Sequence, residues 1–409
     1  MLNKMNEREL VYLVSIDNIY PIEGYDRVEL ATVGGWQVIV QKDKFKPGNL
    51  GIYFEVDSKV PNKEPFLFLE SKKYKIKTLK MCKTVSQGLL MSPADFGWRV
   101  SKDNLETTDG NNIYSLNDES RFLTKRLGVT YADESDNKRK AKSQDKYTKM
   151  MMRRPHLFKK PLIKKIMKYK LGKKILFFLF GKKKDSQKAF PTKFPFVRKT
   201  DLERIENLPL VLKDKTPYIV TQKCDGSSAT YILERKRRNK FEFYVCSRNV
   251  RQLKPSQKCY YDENYYWEVA KKYNIEKKMR DWLKKHPELD YVCWQGEICS
   301  PKIQGNPHKL TETAFFAFHF IDSQVGKWDI LKAKEVWNTY SIPTVPIFSI
   351  HTLPDTMEEM KAEAECDYRP TVTEGQYNCK CEGLVYYKAT DPNFYFKNVS
   401  KSYLLSKEK

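Results

Sequence analysis

Lys223-Cys224-Asp225-Gly226-Ser227-Ser228 gathers an amine, a carboxylate and two hydroxyls around one bend. The lysine can offer its amine to a phosphorus or a carbonyl. It becomes a usable nucleophile when desolvation or nearby cations lower its pKa. Farther on, Glu297 sits inside the apolar run Cys293-Trp294-Gln295-Gly296-Glu297-Ile298, where a carboxylate is costly unless it has a partner. Arg248 follows the alternating stretch 241–245 and leaves its end as a fork of donors suited to phosphate. Glu382-Gly383 and Phe396-Lys397 add a second carboxylate and a second cation.

The surroundings give these groups a frame. Tyr218-Ile219-Val220 reads as a strand, the glycine-containing hexapeptide as a tight turn, and 229–233 as a returning strand. By itself such a turn is an ordinary surface hairpin. The elements that follow it change the reading, and their order is Ser247-Arg248-Asn249, Gly296-Glu297-Ile298, Phe315-Phe316-Ala317-Phe318, Glu382-Gly383-Leu384-Val385-Tyr386-Tyr387-Lys388 and Phe396-Lys397. Between them, 252–289 is mostly helical in pattern and carries Tyr260, Tyr261, Tyr265, Tyr266, Trp267 and Trp282, aromatics suited to packing on a sheet.

In this order and over 218–405 the chain resembles the covalent nucleotidyltransferases, and most closely the ATP-dependent RNA ligases of the Deinococcus and amoeboflagellate type with an N-terminal OB-like domain. The resemblance implies that Lys223 attacks the α-phosphate of ATP and carries AMP, with Thr221 and Gln222 helping to hold adenine. It implies Arg248 on the ribose or the RNA 5′-phosphate, Glu297 on the ribose, and Glu382 with Glu297 holding magnesium or manganese. Phe316 or Phe318 stacks on adenine, and Lys397 meets the α-phosphate. Ile303-Gln304-Gly305-Asn306 is expected against the nucleotide pocket. The chain departs from the pattern twice. His319 stands where related ligases often have an acid, and Tyr395 stands where many have the first of two lysines. Either Lys388 or Lys401 compensates, or Lys397 works alone.

The totals agree with a polyanionic partner. The 409 residues suit two or three domains, and a net charge of +24 favours nucleic acid over an acidic membrane. Nine scattered cysteines, with only a C-x-C pair at Cys379 and Cys381, argue against structural zinc and suit reduced thiols. The polar segment 1–10 has no secretory character, which leads us to expect a cytoplasmic or nuclear protein.

The expected fold is α+β: an OB-like β-barrel over 1–130, a basic linker over 131–198, and a mixed α/β adenylyltransferase with an ATP-grasp-like antiparallel sheet over 199–409. Strands are expected at 10–16, 28–33, 36–40 and 52–56, with turns at Gly34-Gly35 and Lys46-Pro47-Gly48-Asn49. A strand over 74–80 would set Lys75, Lys77 and Lys80 toward RNA phosphates, and Tyr53, Phe54, Tyr74 and Trp98 are candidates to stack on bases. Residues 133–149 are charged and poor in apolar side chains. Apolar spacing over 161–180 predicts one basic amphipathic helix, read as a docked linker, an RNA tether or a membrane-surface element.

The activity expected is joining of RNA 3′-hydroxyl and 5′-phosphate ends, on a nicked duplex or a broken strand, with no obligate protein partner. The N-terminal domain is expected to serve joining more than self-adenylylation. A GTP-using capping enzyme and a non-catalytic RNA-binding protein are the alternatives.

Overall fold

The computed structural model describes residues 8–81, 83–101, 104–106, 113–132, 155–158, 160–180, 187–237, 240–252, 264–367 and 381–407. The charged stretch 133–149, and Tyr260 and Tyr261, lie outside them.

The N-terminal part is built from short antiparallel strands. Val11–Ser15, Leu50–Phe54 and Leu89–Met91 form one sheet; Asn18–Ile22, Tyr25–Val33 and Trp36–Gln41 form another. Gly34 and Gly35, at φ +54 and +89, make the two-residue hairpin turn between Val33 and Trp36 that the sequence predicts. The turn at 46–49 is also present, closed by Asn49 N–H donating to the Lys46 carbonyl at 3.0 Å. Tyr53 and Phe54 are fully buried core residues, so neither can stack on a base. Trp98 is half-buried and stacks on Tyr114 at 5.5 Å.

The strand expected over 74–80 does not form. Lys73 and Tyr74 adopt positive φ, Lys75 makes a single bridge to Lys59, and a strand begins only at Leu79. Ile76 alone of the stretch is buried, because left-handed residues before it break the alternation that the lysine spacing suggests. Lys77 is exposed, while Lys80 reaches across to the C-terminal part and donates to the Leu405 carbonyl at 2.7 Å.

The expected single helix over 161–180 is two, Pro161–Met167 and Lys170–Phe180. They turn tightly at Gly172, where a β-carbon would lie 2.2 Å from the Ile166 carbonyl oxygen. Leu176 and Phe158 are buried within this unit, and Leu171, Ile175, Phe178 and Leu179 form an exposed stripe. Among the described residues no helix is long and apolar enough to cross a membrane.

The C-terminal part consists of two mainly antiparallel sheets. The seven-stranded sheet runs Gln187–Ala189, Val250–Gln252, Phe241–Ser247, Ser227–Arg235, Tyr291–Cys299, Ala314–Asp322, Gly326–Lys327. The five-stranded sheet runs Glu203–Arg204, Tyr395–Val399, Gly383–Lys388, Pro217–Gln222, Ile347–Thr352. Helices Tyr265–Lys272, Ile275–Lys285 and Ile330–Thr339 bury Val269, Met279, Leu283 and Trp337 against Trp294 and Phe320 of the larger sheet. Asn264 and Asp329 cap two of these helices through their side-chain oxygens, each worth about 1 kcal/mol. Between the sheets lies a separate apolar layer of Ile219, Cys224, Phe316, Val385 and Tyr387.

The two parts touch. Trp36 of the N-terminal hairpin lies under the guanidinium of Arg204 at 5.6 Å, and Arg204 pairs with Lys397 across the sheet. A β-carbon on Gly35 would meet Met357 at 2.6 Å, so the glycine turn allows the close approach.

Candidate active site

Lys223 leaves the end of Pro217–Gln222, and its N–H donates to the Gly383 carbonyl at 2.9 Å. The chain then bends so closely to the neighbouring strand that a β-carbon on Gly226 would lie 2.3 Å from the Ile298 carbonyl oxygen. The bend aims the lysine into the gap between the sheets, where Nζ is 2.8 Å from Glu382 Oε2. Burial works to lower the Lys223 pKa, but Glu382 and Glu297 outweigh it and hold the amine above the ordinary lysine value. The lysine is therefore held as a charged partner of two acids, not as a pKa-lowered amine.

Glu297 lies on the strand next to Ser227–Arg235, opposite Ser228. Burial first, and then Glu382, push its carboxyl up to about 8 against the pull of Lys223. Lys397 is pushed down to about 8 by burial and by the neighbouring Arg204 and Lys223. Two acids crowded in a low-dielectric gap are a donor set with room for a positive ion. Among the described residues no group of three or more acidic, histidine or cysteine side chains converges here, so Glu382 and Glu297 are the two protein carboxylates such an ion would meet.

The cavity beside Lys223 and Glu297 has a volume of about 360 Å³ and is lined by Thr221, Gln222, Lys223, Arg248, Glu297 and Lys397, among others, while Glu382 is not among its lining residues. All of these are expected site residues. Thr221 and Gln222 form buried floor at the strand end. Arg248 stands at the exposed rim, hydrogen-bonded to Asp201. Val345, Val385, Tyr387 and Tyr395 complete the wall.

A β-bulge decides which of Phe316 and Phe318 faces the cavity. Gly296 pairs with Ala317 and Gln295 with His319, which leaves Phe318 as an extra residue. Phe318 and His319 consequently both line the cavity, although consecutive residues of a regular strand point to opposite faces. Phe316 is fully buried in the layer between the sheets and does not line it.

Other expectations need correction. Lys388 is bound to Asp214 at 2.6 Å, and neither it nor Lys401 lines the cavity. Among the described residues, Lys397 is the lining lysine besides Lys223. Lys327 is the cation beside Tyr395, with Nζ 3.5 Å from that ring centroid. Ile303 and Gln304 line a smaller neighbouring cavity of about 290 Å³ with Tyr265, Tyr266 and Lys302, on the far side of the Gly226-Ser227 turn. Sequence reasoning missed Thr200, Asp201 and Leu202, which line the main cavity. A short polar segment before an irregular stretch carries no signal of its own, and only the ion pair with Arg248 reveals it.

A family model described as an OB-fold domain matches residues 10–93, and one described as RNA ligase matches residues 216–402. The second match spans the strands and the turn that carry Lys223, Glu297 and Lys397. The N-terminal and C-terminal parts together share the fold of the Naegleria gruberi RNA ligase. A structure of that enzyme with pyrophosphate covers 98% of this chain and 99% of its own, at 23% identity and a TM-score of 0.63. A variant of it with AMP and manganese gives 23% and 0.64 over the same shares, and another with ATP and manganese 24% and 0.63. At this identity the likeness is one of fold. No curated protein matches the chain.

Proposed function

We propose that this chain is an ATP-dependent RNA ligase that joins 3′-hydroxyl and 5′-phosphate ends, with a nick or break in RNA as its substrate. The observation that carries the reading is Lys223 set between Glu382 and Lys397 in a cavity whose wall offers the Phe318 ring to a base. The amine of Lys223 attacks the α-phosphorus of ATP, the bond to pyrophosphate breaks, and AMP stays on nitrogen. The RNA 5′-phosphate then takes the AMP from the lysine. The 3′-hydroxyl attacks the activated phosphate, and AMP leaves. Lys397 receives the α-phosphate charge, Glu297 takes the ribose, and Arg248 at the rim turns from Asp201 to phosphate. A divalent cation between Glu382 and Glu297 would neutralise phosphate charge and draw Glu382 away from Lys223.

The test is labelling with ATP, GTP and NAD in the presence of magnesium or manganese. A covalent AMP adduct with ATP alone supports the ligase. A GMP adduct would make the chain a capping-type enzyme, and no adduct with folded protein would leave only RNA binding.

Two further results are expected. Lys397 must be charged to hold a phosphate, and burial with the neighbouring Arg204 and Lys223 pushes its pKa down to about 8. Nucleotide affinity should therefore be flat below about pH 8 and fall above it. The fall should approach tenfold per pH unit until the pKa of the occupied site is reached. Lys397→Arg should flatten that fall, and calorimetric titration from pH 6.5 to 9.5 checks it.

Replacing Lys75 and Lys77 by alanine should weaken binding to a nicked RNA duplex while adduct formation is kept. The slope of log affinity against log salt should fall by roughly 0.7–0.9 for each lost phosphate contact. An unchanged slope would remove these lysines from the RNA path.

A further inference from the structure

His319 is the residue of the cavity wall whose protonation is fixed by its neighbours. It is 3% exposed, and its Nδ1 lies 3.0 Å from Gln295 Oε1. The Gln295 amide is itself locked, because its Nε2 donates to the Arg198 carbonyl at 2.8 Å and to Thr230 Oγ1 at 3.2 Å. Gln295 Oε1 can only accept, so the imidazole hydrogen belongs on Nδ1. Burial and the nearby Lys327 hold the ring well below the ordinary histidine pKa, so it stays neutral. Nε2 is left as a bare lone pair, buried and without a protein donor among the described residues.

The ring cannot easily turn to find one. Tyr387 and Tyr395 stand edge-on to it at 5.8 and 5.0 Å, and Phe318 is nearly perpendicular at 4.8 Å. Buried acceptors in folded proteins almost always have partners, and one left without a partner beside a ligand cavity is costly until a donor arrives. The bulge brings His319 and Phe318 to the same wall.

We propose that His319 Nε2 accepts a hydrogen bond from the exocyclic amine of a purine stacked on Phe318, and so selects ATP over nucleotides with a 6-oxo group. The inference rests on the nucleotide-transfer reading given above. A 6-oxo purine presents a carbonyl lone pair where the amine would be, and two acceptors then face each other in a dry site. The position that departs from related ligases thus becomes the base reader of this one.

The experiment compares ATP with ITP, which differ in the 6-substituent and in the hydrogen that the 6-oxo form carries on N1. Direct binding is measured by calorimetry, and adduct formation is measured alongside, for the wild type, His319→Leu and His319→Asn. The wild type should bind ATP about 10- to 100-fold more tightly than ITP. His319→Leu should bring the two within about threefold by weakening ATP, with ITP little changed. His319→Asn, which keeps an acceptor, should retain part of the preference and guards against a folding defect in the leucine variant. The preference should also be level from pH 6 to 8, since the ring is already neutral there. A wild type that binds both equally, or an unchanged ratio in both variants, overturns the assignment. Purine binding with the expected ratios but no adduct would instead overturn the ligase reading and leave the acceptor standing. No purine binding at all overturns both.

Discussion

Lys223→Ala is expected to abolish the protein–AMP adduct, with a fall on the order of a thousandfold or more. The reason is placement as much as chemistry. No other lysine amine lies in contact with Glu382 among the described residues, and Lys397, the other lysine of the cavity, sits two strands away in the same sheet with Arg204 beside it. Arginine at position 223 should fail as well, because its charge is delocalised and does not leave at working pH. The loss must be specific to the first two steps. Once an RNA carries AMP on its 5′-phosphate, joining needs a hydroxyl, the phosphate contacts and a place for AMP, but not the lysine. The variant should therefore still seal pre-adenylylated RNA. Adduct yield with labelled ATP and sealing of pre-adenylylated RNA, measured on one preparation, check both halves. Loss of both would make Lys223 a structural residue, and retention of the adduct would remove it from the chemistry.

The second large effect is expected at Gly226. Its missing β-carbon would lie 2.3 Å from the Ile298 carbonyl oxygen, 2.9 Å from the carbonyl carbon and 3.0 Å from Cys299 Sγ. Two of those three atoms are backbone of the central sheet, so no side chain can swing aside. Gly226→Ala must either push the turn away from Tyr291–Cys299 or break pairing at Ser227↔Ile298. We expect destabilisation of about 2–4 kcal/mol. Thermal unfolding should fall by roughly 5–15 °C. Adduct formation should fall further than stability accounts for, since the turn sets the direction of Lys223. A variant with unchanged melting and unchanged adduct yield would show that the turn has slack that the packing here does not reveal. Gly305→Ala is the control. It sits in a turn with nothing within 4 Å of the added carbon and should cost only its positive-φ strain.

How much of this was legible beforehand depends on what kind of signal each part leaves. The Gly34-Gly35 hairpin and the strand–turn–strand around Lys223 were legible because local chemistry dictates them. The acids and cations of the cavity were legible because charges are costly in apolar strands and so stand out. The distinction between Phe316 and Phe318 was not, since an extra residue in a ladder depends on its partner strand and has no mark in its own sequence. The lysines at 75, 77 and 80 suggested a strand by period two. The left-handed residues Lys73 and Tyr74 broke it, and lysine and tyrosine do not announce that conformation. The helix over 161–180 kept its apolar spacing through a break, because Gly172 permits the crossing without disturbing the period.

The unpaired Phe318 sets stability and use against each other. Deleting its codon would leave Ala317 opposite Gly296 and His319 opposite Gln295 as direct neighbours, and the ladder would run without interruption. Alternation would be restored and a half-exposed aromatic ring would leave the cavity wall. A directed-evolution campaign that rewards only heat resistance or soluble yield would thus be free to discard this one residue. It would return a well-behaved protein with nowhere to lay a base. Libraries built on this chain should hold the length of Ala314–Asp322 fixed.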